Sequence, residues 1–461
     1  RLLLKTFAAI AALPPPVLQQ MRKLLKNYPS VERDVLEMLA QEQKKVRVSG
    51  GWKNAIGEKQ HFARSLYYQD KEEARSLPEH LAADYFAETG KFQDFPHYEY
   101  RPQQQEMAAE IITAFNNEQH LMLEAGTGTG KSAAYLVPAL LWIKQNGGPL
   151  VVSTHTKNLQ DQLIEKDIPA VLKLFPQDQF QIMILKGRQN YVCLRRFEAL
   201  VQQMLLSQSK EIVKTLPLFS WLVSTEQGDL SELHSSIGRK YHYQICSEGL
   251  SCLGEACPDH ARCFLQHARR QTKYADLIIG NHALVLTDLA GGGALLPKYR
   301  QIILDEAHTL EETTTDSWSK EITYSACAEE IKKLEQSSRQ PALISAAEKF
   351  RAGIRQYFDE LSRLGREQRA SGEEKNLRIR ELQQREALWR ALELIRLDAT
   401  KQLKKMRQLA EEYLEQAGGD TDTLPVKSSL AVLQELWQIL DMVALGADNY
   451  VCWLVWQNGK P

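Results

Sequence analysis

Short apolar runs recur between residues 121 and 304, and longer stretches follow whose apolar positions return every three or four residues. Leu121-Met122-Leu123, Leu150-Val151-Val152-Ser153, Ile182 to Leu185, Leu277 to Ile279 and Ile302 to Leu304 read as short buried strands. Ser132 to Gln145 and Leu159 to Glu165 read as helices between them. Apolar strands alternating with helices predict a parallel sheet covered on both faces. After Glu311 the strand pattern stops. Leu388, Leu392, Ile395, Ala399, Leu403, Met406, Leu409 and Tyr413 step by three or four, the seam of a helix roughly 39 Å long at 1.5 Å per residue. Gly418-Gly419-Asp420 breaks the run, Ser428 to Met442 resumes it, and Tyr450 to Trp456 reads as a strand returning toward the sheet. Before the sheet, Leu18, Met21, Leu24 and Leu25 recur at helical spacing, with Ser49-Gly50-Gly51 and the charged stretch after Asp70 as connectors. Arg1 to Leu13 imitates a short signal peptide. The chain opens on Arg rather than Met, and an amphipathic helix stopped by Pro14-Pro15-Pro16 is the expectation here.

Composition narrows the class without naming a partner. The 461 residues suffice for about three domains. Charged residues at 25% and hydrophobic residues at 43% are ordinary for a globular chain, and the net charge of −1 means that any nucleic-acid surface must be local. No apolar run approaches the ~20 residues that span a bilayer. Seven cysteines, partly clustered, point to metal or chemistry rather than to a secreted disulfide framework, and so to a cytoplasmic protein.

The chemistry starts at Ala125-Gly126-Thr127-Gly128-Thr129-Gly130-Lys131-Ser132. Its glycines let backbone N–H groups close around phosphates, Lys131 can reach the β and γ phosphates, and the Ser132 hydroxyl can hold Mg²⁺. Asp305, at the end of the Ile302–Leu304 run, is placed to hold Mg²⁺, and Glu306 to orient or deprotonate the attacking water. ATP is the implied nucleotide. Gln104, ahead of the loop, can read an adenine edge.

Between the loop and the acidic box lie Cys193, Cys252, Cys257 and Cys263, a lone thiol followed by C-x4-C-x5-C. Thiolates bind zinc tetrahedrally or hold iron–sulfur clusters, and this spacing leaves both open. Cys246 lies outside the pattern, and Cys327 and Cys452 read as core. Lys186, Arg188, Arg195, Arg196, Arg262, Arg269, Arg270 and Lys273 crowd the cysteines, with Tyr191 and Phe264 adding flat apolar surface, a mixture suited to a single-stranded nucleic acid.

The ordered set RPQQQEM, AGTGTGKS, STHTKNLQDQL, KGRQNYVC, C-x4-C-x5-C, NHALVL and DEAH resembles the DinG branch of XPD-like superfamily 2 helicases over about residues 98 to 461. The resemblance implies an α/β fold: a RecA-like P-loop domain (residues 96–190 and 265–313), an iron–sulfur insertion (191–264) and a helical Arch domain (314–448). A helical region (1–95) precedes them, and a return strand (449–461) follows. It implies a [4Fe–4S] cluster on Cys193, Cys252, Cys257 and Cys263, and 5′→3′ translocation of a monomer on single-stranded, forked or structured DNA in repair or replication. Thr154, Thr156 and Gln162 match a motif that contacts the DNA backbone, Arg195 and Arg196 are further DNA candidates, and His308 matches the residue that couples nucleotide state to DNA. The second RecA-like half is expected outside this chain. Ser362 to Arg369 imitates its arginine-finger motif but falls in the predicted helical domain.

Overall fold

The computed structural model describes residues 12–26, 31–42, 52–56, 74–95, 98–126, 128–206, 210–233, 236–249, 252–338, 340–369, 376–384, 386–416, 424–445 and 450–455. The chain divides into two compact units. One comprises Arg1–Ser247 with Leu253–Trp318, the other Glu248–Cys252 with Ser319–Pro461.

The first unit is built on a parallel sheet of β1 (Leu150–Thr154), β2 (Ile182–Ile184), β3 (Leu277–Asn281) and β4 (Ile302–Leu304), in the order β2-β3-β1-β4. Val152 is the register point, opposite Ile279 on one side and Ile303 on the other. Side chains alternate across a strand, so the sheet feeds two cores. Leu150, Val152, Leu277 and Ile279 face a core with the helices Pro102–Asn116 and Lys131–Asn146. Val151 and Ile278 face the other, filled by the helices Leu194–Leu206, Leu216–Ser224 and Phe264–Thr272 of the cysteine-bearing insertion. The N-terminal helix Pro15–Leu25 contributes Val17, Leu18, Met21, Leu24 and Leu25 to that same second core. The expected boundaries at residues 95, 191 and 264 therefore do not separate compact bodies: N-terminal segment, insertion and sheet share one unit.

Several sequence expectations are corrected. The triproline opens the helix Pro15–Leu25: Pro14 is the N-cap and Pro15 the first helical residue, where a missing N–H costs nothing. The Arg1–Leu13 helix and the Ser49-Gly50-Gly51 connector fall almost wholly outside the described residues. Leu121-Met122-Leu123 is not a strand. All three side chains are exposed, Met122 almost completely, and β4 is paired on the β1 side only among the described residues. An apolar tripeptide with no ladder partner has nothing to hold it extended.

The second unit is helical, from Tyr324–Ser337 through Pro341–Arg369 and Glu386–Gln416 to Leu424–Leu445. Of the predicted seam, Leu392, Ala399, Leu403 and Met406 are buried, and Leu388, Ile395, Leu409 and Tyr413 pack partly buried against them. Gly353 lets the two longest helices approach, since a Cβ there would lie 3.1 Å from that of Ala399. Cys327 is core, and Cys452 packs beside it. Ser362 to Arg369 forms the end of the Pro341–Arg369 helix. The C-terminal strand β6 (Trp453–Val455) exists, but it pairs antiparallel with β5 (Asn376–Arg378) of its own unit, not with the parallel sheet. No described helix is long and apolar enough to cross a membrane.

Candidate functional site

The phosphate-loop sequence sits where a loop turns into a helix. Gly128 and Gly130 take φ of +81° and +77°, conformations that glycine alone adopts without strain, and Lys131 opens the helix Lys131–Asn146. The helix N-terminus and its free N–H groups make an anion site. Thr127 lies outside the described residues. Thr129 closes the loop through its hydroxyl, 2.9 Å from the Gly126 carbonyl. Gln104 is buried beneath the loop, and its Nε2 donates to the Gly130 carbonyl at 3.0 Å. Arg101 donates to the Gly128 carbonyl from the same side. The expected adenine reader is thus spent on bracing the loop.

The acidic box arrives from the sheet. The Asp305 N–H donates to the Ser153 carbonyl at 2.8 Å, extending the β1–β4 ladder by one bond, and Glu306 then turns at φ +58°. A non-glycine residue in that region stores about 1–2 kcal/mol. The turn points Glu306 at the loop, where its Oε1 lies 3.1 Å from Lys131 Nζ. His308 Nδ1 is 3.4 Å from the other oxygen and is well exposed. Tyr135, one turn into the helix, donates to Asp305 Oδ2 at 3.3 Å, and Ser132 hydrogen-bonds the same hydroxyl. Burial and the Glu306 charge push the Asp305 carboxyl up, against the pull of Lys131 and Tyr135. The structure therefore gathers Lys131, Ser132, Asp305 and Glu306 around the end of one helix, a cation, a hydroxyl and two carboxylates suited to a phosphate and a divalent ion.

Two residues of this site were not singled out in the sequence. Tyr135 was hidden in an apolar helical run. His282 is wholly buried, with Nδ1 2.7 Å from Ser153 Oγ, and burial pushes its pKa down while the backbone of Asp305 and Glu306 opposes that. It lies between the end of β1 and the acidic turn, and its place in NHALVL was the only signal.

The expected nucleic-acid residues divide. Thr154 is fully buried and gives its hydroxyl to the Thr156 carbonyl at 3.2 Å. Thr156 is exposed, and its oxygen accepts from Leu159 N–H at 3.3 Å as the cap of helix Lys157–Gln162, which ends at the exposed Gln162. Arg195 and Arg196 are half-buried, and Arg196 donates to the carbonyls of Tyr243 and Gln244. Tyr191 and Phe264 are buried, not flat surface: Phe264 lies against Gly228, where a Cβ would meet its ring at 2.3 Å. Lys186 is buried too, its Nζ 2.6 Å from Asp229 and 3.1 Å from Asp161.

Cys193, Cys257 and Cys263 are half-buried cysteines of the first unit that form no disulfide, whereas Cys252 is exposed and partitions with the second. Burial pushes the Cys257 thiol up, with the charges of Asp259 and Cys193 adding to the effect and the Asp259 backbone N–H and Arg195 opposing it. Among the described residues, no three His, Cys, Asp or Glu side chains are gathered to hold a metal ion. Within the first unit, Cys193, Cys257 and Cys263, with Cys193 and Cys257 in electrostatic range, are thiols whose chemistry suits a thiolate-held metal centre.

A phosphate loop on a helix N-terminus, facing an Asp-Glu pair at the carboxyl end of a parallel sheet, defines the P-loop ATPase class. Residues 101–214 match the DEAD/DEAH box helicase family. The chain is 36% identical over 251 residues to the ATP-dependent DNA helicase YoaA of Haemophilus influenzae, covering 53% of this chain and 38% of that protein. It is 35% identical over 240 residues to the ATP-dependent helicase DinG of Mycobacterium tuberculosis, covering 48% and 36%. A third relative, the 3′-5′ exonuclease DinG of Bacillus subtilis, is 29% identical over 336 residues, covering 70% and 34%. The matched part spans little more than a third of each relative's length. Over about half of its length the chain is thus similar to helicases of the DinG and YoaA type.

The buried Lys186–Asp229 pair gives a stability prediction. Burial pushes Asp229 up, but Lys186 and the Ser231 N–H outweigh it and hold the carboxyl below its ordinary 3.8. Its stabilisation is complete above about pH 4 and fades as pH falls through the lower folded value. Lys186→Met at pH 7 leaves a buried charge alone and costs about 3–5 kcal/mol in urea unfolding, most of it recovered in Lys186→Met/Asp229→Leu.

Proposed function

We propose that this chain is the nucleotide-binding half of an ATP-dependent DNA helicase motor. The reading rests above all on the 3.1 Å contact between Lys131 and Glu306, which joins the phosphate loop to the acidic box in one site. MgATP enters with its phosphates on the N–H groups of Gly126 to Ser132, Thr127 included, and on Lys131. Ser132 and Asp305 hold Mg²⁺. Glu306, freed from Lys131 by the γ-phosphate, orients the attacking water. Gln104 positions the loop through Gly130, and exposed His308 carries the change at Glu306 toward DNA. Thr156 and Gln162 sit on an exposed turn and helix next to the end of β1, where a DNA phosphate can reach the backbone, and Thr154 shapes that turn from below. Arg195 and Arg196 are weaker DNA candidates. The motor moves 5′→3′ on single-stranded DNA and opens forked or structured duplexes in repair or replication, as a cytosolic monomer. Rapid hydrolysis needs arginine fingers from a second motor half, worth about 10³–10⁵ in rate. The helices after Ser319 form the Arch.

Cys193, Cys252, Cys257 and Cys263 would hold a [4Fe–4S] cluster. Bound there, the cluster supplies a covalent staple whose assembly is coupled to folding of the insertion. This chain's residues supply the thiolates, and Cys263 packs against the core that the insertion shares with the sheet.

A second reading follows from the relative named as an exonuclease, whose match covers the most of this chain among the three: an ATPase tied to a nuclease, without unwinding. Strand displacement of a forked duplex by the full-length protein supports the helicase, and nuclease products without displacement support the alternative.

Two measurements test the site. A fluorescent ATP analogue with Mg²⁺ binds the chain, and Lys131→Ala weakens binding at least tenfold; equal affinity contradicts the assignment. Anaerobically purified protein carries iron and sulfide in equal amounts with visible absorption; zinc alone contradicts the cluster.

A further inference from the structure

Trp52–Ile56 is a single helical turn far in sequence from the cysteines, yet its lysine reaches two of the segments that carry them. Lys53 Nζ lies 2.8 Å from Asp259 Oδ2 and 2.6 Å from Glu198 Oε2. Asp259 sits between Cys257 and Cys263. Glu198 sits on the helix Leu194–Leu206, which starts directly after Cys193. One ammonium group thus ties the segment carrying the first cysteine to the loop carrying the last two.

From Gly254 to Cys263 the loop is a string of tight turns: Cys257 N–H to the Gly254 carbonyl, His260 to Cys257, Arg262 to Asp259, Cys263 to His260. Local turns set curvature but not position. Asp259 is nine-tenths buried, and a buried carboxylate left alone is costly. The turn carrying Lys53 is itself anchored, with Ile56 in the same core as Leu18, Met21, Phe197 and Phe219.

We propose that the N-terminal segment is a strap over the cysteine insertion, and that Lys53 is a positioning residue that sets the Cys257–Cys263 loop against the Cys193 helix. The strap places thiols whether or not they carry a metal; its consequence for iron rests on the cluster reading above.

The test is amide hydrogen exchange on the intact chain, comparing wild type, Lys53→Met and Lys53→Arg. Lys53→Met speeds exchange of peptides covering residues 257–263 at least tenfold and leaves peptides of β1 and β3 unchanged. Lys53→Arg restores most of the protection, since a guanidinium can bridge both carboxylates. Unchanged exchange in Lys53→Met, equal acceleration across the sheet, or failure of Lys53→Arg to rescue overturns the proposal. In iron-loaded protein, Lys53→Met also bleaches faster in air, and bleaching at the wild-type rate counts against the strap. A wild type without iron defeats the cluster reading alone, and the exchange result still decides the strap.

Discussion

The ion pair of Lys131 and Glu306 joins residues 175 positions apart, and the rest of the motor unit is arranged so that it can form. The parallel register of β1 and β4 carries Asp305 one bond beyond the strand end, and the positive φ at Glu306 then swings its carboxylate toward the loop. Gln104 and Arg101 hold the loop's carbonyls, so that Lys131 begins its helix at a fixed point. Each support is cheap alone. Together they bring a cation and a carboxylate into the space that a terminal phosphate would take, an arrangement that a phosphate can open by competing for the lysine.

The sheet's two faces divide the labour. One face packs the helices that build the phosphate site, the other packs the cysteine insertion and the N-terminal helix. Strain or order in the insertion is therefore one sheet thickness from the acidic turn. His282 lies buried between the end of β1 and that turn.

Much of this was legible in the sequence because the signals were local. The runs at Leu150, Ile182, Leu277 and Ile302 are β-rich and bounded by turns, and all four became strands. The acidic box could be placed because it follows a strand of the sheet, and the phosphate loop because its glycine spacing leads into a helix. The misreadings came where tertiary context overrode a local signal. Leu121 to Leu123 has strand composition but no described partner strand. Tyr191, Phe264 and Lys186 have the chemistry of a nucleic-acid surface, but burial gives them to the core and to Asp229. The Lys53 bridge could not be read at all, because nothing in a linear pattern pairs a lysine with a carboxylate 206 residues away.

The most direct test of the account is the affinity of Glu306→Gln for a magnesium–ATP analogue, measured by titration calorimetry on the intact chain. If Glu306 competes with the terminal phosphate for Lys131, the neutral amide releases the lysine, and the variant binds as tightly as wild type or more so. A large loss of affinity in Glu306→Gln would contradict it, because the carboxylate would then be holding the nucleotide instead of yielding to it.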